Sequence, residues 1–277
     1  MTTPKVDSAI LYIPHGGGPL PLLGHAGHNA MNAFLKELAA MLPKPEAVVV
    51  ISAHWEGDSV MVTSHPTPEL VYDYYGFPPQ AYEIEYPAAG HPELAHKSVG
   101  LMEDAGIKVK AEDKRGFDHG VYIPLSLMLP EADLPCIQVS LCKGLDIERH
   151  LAMGQALRPL LKENIWLLGS GFSFHNMRGF DLQAGPGSPS APDPQNRSFQ
   201  DWLKKTCADE NTSPEQHREK LLNWEQAPAA RHCHPREEHL LPLMVCAGAA
   251  GYRSAQKVFD VKIMGRSSVC FFWPGTV

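Results

Sequence analysis

The stretch AVVVIS at Ala47–Ser52 decides the fold class. It is a short, continuous run of apolar and mostly β-branched residues, and Pro45 separates it from the helical pattern that precedes it. Such a run predicts a buried strand, because it lacks the alternation of apolar and polar residues found in a strand with one solvated face. Continuous apolar strands in turn indicate a sheet that is covered on both faces.

Strand and helix patterns alternate along the rest of the chain. The other predicted strands are Ala9–Pro14, Ile107–Val109, Cys136–Leu141, Ile165–Gly169 and Ser268–Trp273, and the predicted helices are Ala30–Met41, Pro92–Ala105, Tyr122–Leu129, Asp146–Glu163, Arg197–Cys207, Pro214–Glu225 and His239–Ala250. This alternation predicts an α/β layer fold. We expect one domain, 1–277, with helices on both faces of the sheet. The proline-rich stretch Gly185–Pro194 is expected to be an insertion near the site rather than a domain boundary.

Composition argues against several classes of protein. The net charge is −7 and Lys and Arg are scattered, which argues against nucleic-acid binding. No stretch approaches the roughly 18–20 uncharged apolar residues of a membrane span, and the first residues lack a secretory signal pattern. The six cysteines form no CxxC pair and are expected to be free thiols. We expect a soluble cytoplasmic protein without a nucleic-acid or membrane partner; a homo-oligomer is left open.

Three of the 14 histidines follow predicted strands. His15 follows the first strand, His54 follows AVVVIS, and His175 comes shortly after Ile165–Gly169. Ligand sites in open α/β sheets form beyond the carboxyl ends of the strands. A lone histidine after a strand is usually a loop or packing residue, but three of them in one chain favour a shared site.

Three glycines follow His15 in the stretch HGGGP. They allow the backbone to approach a ligand closely. The stretch matches neither the dinucleotide-binding nor the P-loop pattern, which argues against a phosphate-binding loop. An esterase-type oxyanion loop needs a G-x-S-x-G elbow, and Gly169-Ser170-Gly171 lacks that spacing.

Two further segments bring imidazoles. His119 lies between Asp118 and Gly120, where it is either a turn residue or a group placed over a substrate. The segment RHCHPREEH at 231–239 contains three histidines and two carboxylates. His234, Glu238 and His239 are credible metal ligands by residue type, although a polar helix start is the alternative interpretation.

A cluster of histidines points to metal chemistry. Imidazoles bind Fe(II), Zn(II), Ni(II) and Cu(II). A non-haem Fe(II) oxygenase uses few protein ligands and leaves positions open, which can take both oxygens of a catechol and O₂. A nearby neutral histidine can accept a proton, since its pKa lies near the working pH.

Five motifs in order resemble a known family. HGGGP, SAHW, FDHG, GSG-x₃-HN and EHLLPL, between about residue 11 and residue 273, are similar to the class III extradiol ring-cleavage dioxygenases, in particular their 4,5-DOPA extradiol dioxygenase-like branch. The resemblance implies a single α/β domain with a central mixed sheet. It also implies Fe(II) in the working enzyme, with Zn(II) or another divalent metal as alternative occupants, and a small aromatic diol or aminophenol and O₂ as substrates.

The resemblance implies a role for five histidines. The metal ligands would be His15, His54 and His239. His175 would be the acid–base residue, and His119 would contact substrate or O₂. His239 matches the family's P-x-P-E-H-type segment, in which Glu237 here replaces the second proline. His234 and Glu238 therefore stay alternatives for the third ligand.

Two other functions remain open at this point. Three histidines and an open position would also suit a zinc hydrolase, although the HExxH pattern is absent. A non-catalytic binding protein on the same scaffold is the second alternative. The aromatic segment Tyr72–Tyr86 either lines the pocket or is a packed surface loop. Arg178 either pairs with a substrate carboxylate or lies on the surface.

Overall fold

AVVVIS lies at the centre of an eight-stranded sheet in the computed structural model of the chain, which describes residues 8–185 and 190–275. The strands are β1 (Ala9–Pro14), β2 (Ala47–Gly57), β3 (Val60–Thr63), β4 (Val109–Glu112), β5 (Cys136–Cys142), β6 (Ile165–Gly171), β7 (Lys257–Ile263) and β8 (Arg266–Pro274). Their spatial order is β4-β3-β5-β2-β6-β1-β8-β7. The pairs β5–β2, β2–β6, β6–β1 and β3–β4 are parallel, and the others are antiparallel. The sheet is therefore mixed, as the family resemblance implies.

Two apolar cores lie on opposite faces of this sheet. Along β2, Val48 and Val50 pack into one core, and Val49 and Ile51 pack into the other. Successive strand residues point to opposite faces, so a strand with a core on each side must be apolar throughout. This confirms the prediction drawn from the continuous run of valines.

Helices cover both faces, which confirms the predicted α/β architecture. They are α1 (Asn29–Ala40), α2 (Pro92–Asp104), α3 (His119–Met128), α4 (Ile147–Leu157), α5 (Pro194–Ala208), α6 (Pro214–Leu222), α7 (Ala230–Cys233) and α8 (Leu241–Ala249). Residues of α1 and α3 belong to one core, and residues of α2, α4, α5 and α8 belong to the other. No helix among the described residues is both long and apolar enough to cross a bilayer. All six cysteines are buried free thiols, as predicted.

Several predicted bounds were wrong. The strand expected at Ile107–Val109 is β4, which begins at Val109, while β3 and β7 were missed. β3 (VMVT) has only four residues, and β7 is a sheet-edge strand in which exposed charged residues interrupt the apolar ones. The helix expected over Asp146–Glu163 ends at Leu157, and a 3₁₀ turn follows because Pro159 has no amide hydrogen to donate. Of the expected loop Gly185–Pro194, residues 186–189 lie outside the described part of the chain.

Helices α4 and α8 approach each other so closely that two glycines are required. A Cβ atom on Gly154 would clash with the carbonyl oxygen of Val245, and one on Gly248 would clash with that of Leu151. The two backbones are therefore in direct contact. This contact fixes α8, which begins two residues after His239.

Replacing Gly154 by alanine should destabilise the protein. We expect the free energy of unfolding to fall by about 1–3 kcal/mol, because the new methyl group overpacks the contact between α4 and α8. Gly100→Ala in α2 is the matched control, since a Cβ there meets no atom within 4 Å. That variant should gain about 0.5–1 kcal/mol from helix propensity. Urea denaturation measures both, and an equal effect of the two substitutions would contradict the packing described here.

Candidate active site

Strand register brings the first histidine to the carboxyl edge of the sheet. Pro14, the last residue of β1, pairs with Gly171 at the end of β6, and Ser52 of β2 pairs with Ser170. His15 follows Pro14 directly, and its Nδ1 lies 3.0 Å from the hydroxyl oxygen of Ser170. The parallel pairing therefore aligns the three strand ends that carry the predicted site.

His54 lies inside β2 rather than after it, which corrects the expected strand end. The strand continues to Gly57, and its register against β5 shifts between Ile51 and Glu56, around His54. The backbone N–H of His54 donates to the Ser52 hydroxyl oxygen at 3.2 Å, and that hydroxyl donates to a carboxylate oxygen of Asp118 at 2.7 Å. These bonds fix the irregular stretch that presents the imidazole.

The sequence predicted that His239 begins a helix, but in the structure it lies two residues before α8. Its carbonyl oxygen accepts hydrogen bonds from the Tyr12 hydroxyl and from the Phe172 backbone N–H, both at 2.9 Å. A Cβ atom on Gly171 would clash with this carbonyl oxygen. Because Gly169 and Gly171 have no side chain, the chain from His239 to Pro242 can lie directly against the end of β6.

Three imidazole nitrogens converge at this edge. The Nε2 atom of His54 lies 2.9 Å from that of His15 and 3.2 Å from that of His239. Two nitrogens that each lie about 2.1 Å from one metal ion are separated by about 3.0–3.4 Å, depending on the coordination angle. The spacing of the three nitrogens therefore fits a shared ion.

The hydrogen bonds made by the Nδ1 atoms of His15 and His239 leave the Nε2 atoms of the same two rings without a proton. The Ser170 hydroxyl donates to the Gly120 carbonyl, so its oxygen accepts from Nδ1–H of His15. The Nδ1 of His239 lies 2.9 Å from a carboxylate oxygen of Glu238, which only accepts when ionised. Both rings carry their proton on Nδ1, and their Nε2 lone pairs point at His54. One proton on the Nε2 of His54 cannot fully satisfy both lone pairs, whereas a metal ion would accept a pair from each ring.

The electrostatics keep all three rings neutral. Burial lowers the pKa of His15 well below its ordinary value, and the neighbouring His54 lowers it further. Burial likewise lowers the pKa of His54, with a further contribution from His119. Burial and then the adjacent His175 lower the pKa of His239. Neutral imidazole is the form that binds a metal.

His175 stacks on His239. Their ring centroids are 3.3 Å apart with planes inclined by 18°. The Nδ1 of His175 lies 2.9 Å from the same Glu238 oxygen that contacts His239, and its backbone N–H donates to the Cys233 carbonyl. Burial raises the pKa of the Glu238 carboxyl, but the hydrogen bond from His175 and nearby charges outweigh burial, so the pKa lies below its ordinary value. One ionised carboxylate thus orients two imidazoles.

His119 opens α3 and is held by Asp73, a residue that the sequence analysis missed. One carboxylate oxygen of Asp73 accepts from the Nδ1 of His119 at 2.7 Å and from its backbone N–H at 3.2 Å. The His119 ring centroid lies 3.9 Å from that of His54. No local pattern marks Asp73, because its partner His119 lies 46 residues further along the chain.

The other histidines of the 231–239 segment face elsewhere. The Nε2–H of His234 donates to the Ser173 carbonyl at 3.0 Å, and the ring packs against Phe199 and Trp224. Burial lowers the pKa of His234 to about 3. The Nε2 of His232 lies 3.0 Å from a carboxylate oxygen of Asp193. Among the alternatives for the third ligand, the geometry favours His239 over His234, and it places Glu238 on the far side of the His239 ring.

A cavity of about 560 Å³ opens above the histidine cluster. All five predicted histidines line it, together with the glycines that follow His15. Tyr74 and Phe77 of the Tyr72–Tyr86 segment also line it, so part of that segment is a pocket wall. Arg178 is exposed and does not line the cavity, which matches its interpretation as a surface residue.

The ligand assignment is tested by metal binding. We expect His239→Ala to weaken Zn(II) binding by more than about 100-fold, and Glu238→Gln to weaken it by about 10- to 100-fold, because the carboxylate only orients the ring. His65→Ala, which removes an exposed histidine, is the matched control and should leave the affinity unchanged. Isothermal titration measures all three. Full Zn(II) affinity in His239→Ala would show that the third ligand is another residue.

Comparison with known families places this cluster in context. The family model described as "Catalytic LigB subunit of aromatic ring-opening dioxygenase" matches residues 15–272. A curated dioxygenase of Hapsidospora irregularis named tasH is 36% identical, with 96% of this chain and 86% of that protein covered. The 4,5-DOPA dioxygenase extradiol of Beta vulgaris is 38% identical, with 94% and 95% covered. That of Escherichia coli is 34% identical, with 86% and 84% covered.

A solved structure shares the fold. The crystal structure of an uncharacterised protein from Escherichia coli K12 superposes with a TM-score of 0.73 at 29% sequence identity. The match covers 95% of this chain and 98% of that chain. The α/β architecture with its mixed sheet is therefore common to both proteins.

Proposed function

The chain belongs to the family of catalytic LigB subunits of aromatic ring-opening dioxygenases, and from this premise we propose that it is an Fe(II)-dependent extradiol dioxygenase. It cleaves the ring of a catechol-type or aminophenol substrate beside the two heteroatoms and inserts both atoms of O₂. The observation that carries this proposal is the convergence of the Nε2 atoms of His15, His54 and His239, two of them unprotonated, beneath a cavity.

The proposal assigns the metal to the three converging nitrogens. Fe(II) held there supplies open coordination positions for the diol and for O₂ and lowers the pKa of a diol hydroxyl. The donor set fits such an ion, because the three imidazoles are neutral and the two nearby carboxylates face other ring atoms. Zn(II) suits the same nitrogens, so the identity of the resident metal is part of the proposal.

We assign proton transfer to His175. In the neutral ring whose Nδ1–H donates to Glu238, Nε2 carries no proton and can accept one from a substrate hydroxyl. The stacked contact with His239 holds the ring beside the metal ligands. Because Glu238 is ionised, it also stabilises the imidazolium that forms after the transfer.

We assign contact with the bound substrate or O₂ to His119. Its Nδ1 is engaged by Asp73, which leaves Nε2 as the ring nitrogen available to a ligand in the cavity that His119 lines. Although burial raises the pKa of Asp73, the hydrogen bond from His119 brings it below its ordinary value. Asp73 is therefore ionised and fixes both the orientation and the tautomer of His119.

The proposed reaction is tested by oxygen consumption. The protein is loaded anaerobically with Fe(II) and mixed with 4-methylcatechol, 2-aminophenol and DOPA in separate experiments. We expect uptake of one O₂ per diol and a ring-opened product that contains both atoms of ¹⁸O₂ by mass spectrometry. In His175→Gln and His119→Gln, kcat should fall by about 100-fold or more while the metal is retained, because each loses a positioned proton-transfer or contact group.

Two controls define what would contradict the proposal. His65→Ala should keep the wild-type rate, because this exposed side chain lies outside the cluster. The Zn(II)-loaded protein is assayed on esters and amides, which a zinc hydrolase would cleave. Absence of oxygen uptake with every catechol and aminophenol, in protein that holds one Fe(II), would reject ring cleavage. A full rate in His175→Gln would reject the role assigned to that residue.

A further inference from the structure

The cavity walls above the histidine cluster are apolar. Among the described residues that line the cavity, none is Lys, Arg, Asp or Glu. Phe172 packs edge-to-face on Phe180 with ring centroids 5.4 Å apart, and Met264 lies beside the glycine loop. Tyr74 and Phe77 form another wall, with ring centroids also 5.4 Å apart. A substituent that extends from a bound ring would therefore meet hydrocarbon.

The one hydroxyl on these walls is already satisfied. The Tyr74 hydroxyl donates to the Ala81 carbonyl at 2.5 Å and accepts from the Tyr122 hydroxyl at 2.9 Å. Its hydrogen-bonding capacity is directed into the protein, and the ring is the part that borders the cavity. Tyr74 thus contributes apolar surface to the binding of a substrate.

Two large apolar side chains at the cavity edge are unusually exposed. Met177 is 70% exposed and Leu182 is 63% exposed, and both line the cavity. Apolar groups clustered at a pocket mouth mark a place where another apolar group binds. The path from the histidines to solvent is therefore suited to an apolar substituent along its length.

His25 lines the cavity, but backbone groups engage both of its ring nitrogens. The Nε2–H of His25 donates to the Leu182 carbonyl at 2.9 Å, and its Nδ1 accepts from the Gly27 backbone N–H at 3.2 Å. Arg178 is exposed and outside the lining. A substrate carboxylate held against these apolar walls would lose hydration without gaining an ion pair from a Lys or Arg of the lining, which is unfavourable.

We infer that the cavity selects catechols whose ring substituent is apolar and uncharged over catechols that carry a carboxylate. This inference rests on the proposed function and names the class of substrate within it. The selecting residues are the walls formed by Tyr74, Phe77, Phe180 and Met264, and the mouth formed by Met177 and Leu182. The diol end is held at the histidines, and the substituent determines how well the ring binds.

A matched pair of substrates tests the inference. 4-Propylcatechol and 3-(3,4-dihydroxyphenyl)propanoate differ by the carboxylate at the end of the substituent. We expect kcat/KM of the Fe(II)-loaded protein to be at least about 30-fold higher for 4-propylcatechol. Each methylene added from 4-methylcatechol to 4-propylcatechol should raise it about threefold. The dissociation constants of the same compounds for Zn(II)-loaded protein, measured anaerobically by isothermal titration, should show the same order.

Substitutions at the mouth test the residues involved. Leu182→Arg places a cation at an exposed position, so it should reduce the preference for 4-propylcatechol by about tenfold. Leu182→Gln is the matched control without charge, and it should weaken binding of 4-propylcatechol without improving that of the propanoate. Arg178→Ala should leave the ratio unchanged. A selective loss of propanoate binding in Arg178→Ala would show that Arg178 reaches the site and would overturn the inference.

The outcomes separate this inference from the proposed function. Ring cleavage with equal or better turnover of the propanoate would keep the function and reject the apolar selection. Tighter binding of 4-propylcatechol to the Zn(II)-loaded protein, without oxygen uptake in the Fe(II)-loaded protein, would reject the function and keep the selection. Equal binding of both compounds would reject the selection whatever the activity.

Discussion

The close convergence of three buried, neutral imidazoles is the constraint around which this site is arranged. The Nε2 atoms of His15 and His239 carry no proton, and both lie within 3.2 Å of the Nε2 of His54. When each ring is neutral, only His54 can carry a proton among these three nitrogens, and the strand register and the close contact at Gly171 hold the rings in place. A divalent ion bound by the three nitrogens would therefore stabilise the folded arrangement of the cluster.

Two carboxylates complete the arrangement without occupying the centre. Glu238 faces the Nδ1 atoms of His175 and His239, and Asp73 faces the Nδ1 of His119 and lies 3.8 Å from that of His54. Both carboxylates would balance the charge of an ion that the three Nε2 atoms hold. The cavity side of the cluster stays open, which is what a reaction between a diol and O₂ requires. The same arrangement therefore orients the imidazole rings through the two carboxylates and leaves the cavity side of the cluster open.

The sequence predicted the parts of this structure that have a local pattern. AVVVIS is apolar because it has a core on each side, so its place in the sheet could be inferred, and so could the position of His15 after another strand of the same sheet. β7 was missed because it is a sheet-edge strand with exposed charges. The roles of Asp73 and Ser170 depend on contacts between residues 46 and 155 positions apart, which no local pattern reports.

The central claim is that one ion binds to three neutral imidazoles. A crystal structure of the Fe(II)-loaded protein, grown without oxygen, tests it most directly. The account predicts one ion about 2.0–2.3 Å from the Nε2 atoms of His15, His54 and His239, with Glu238 and Asp73 hydrogen-bonded to the rings rather than to the ion. An ion bound to a Glu238 oxygen in place of His239, or bound away from these nitrogens, would contradict the account.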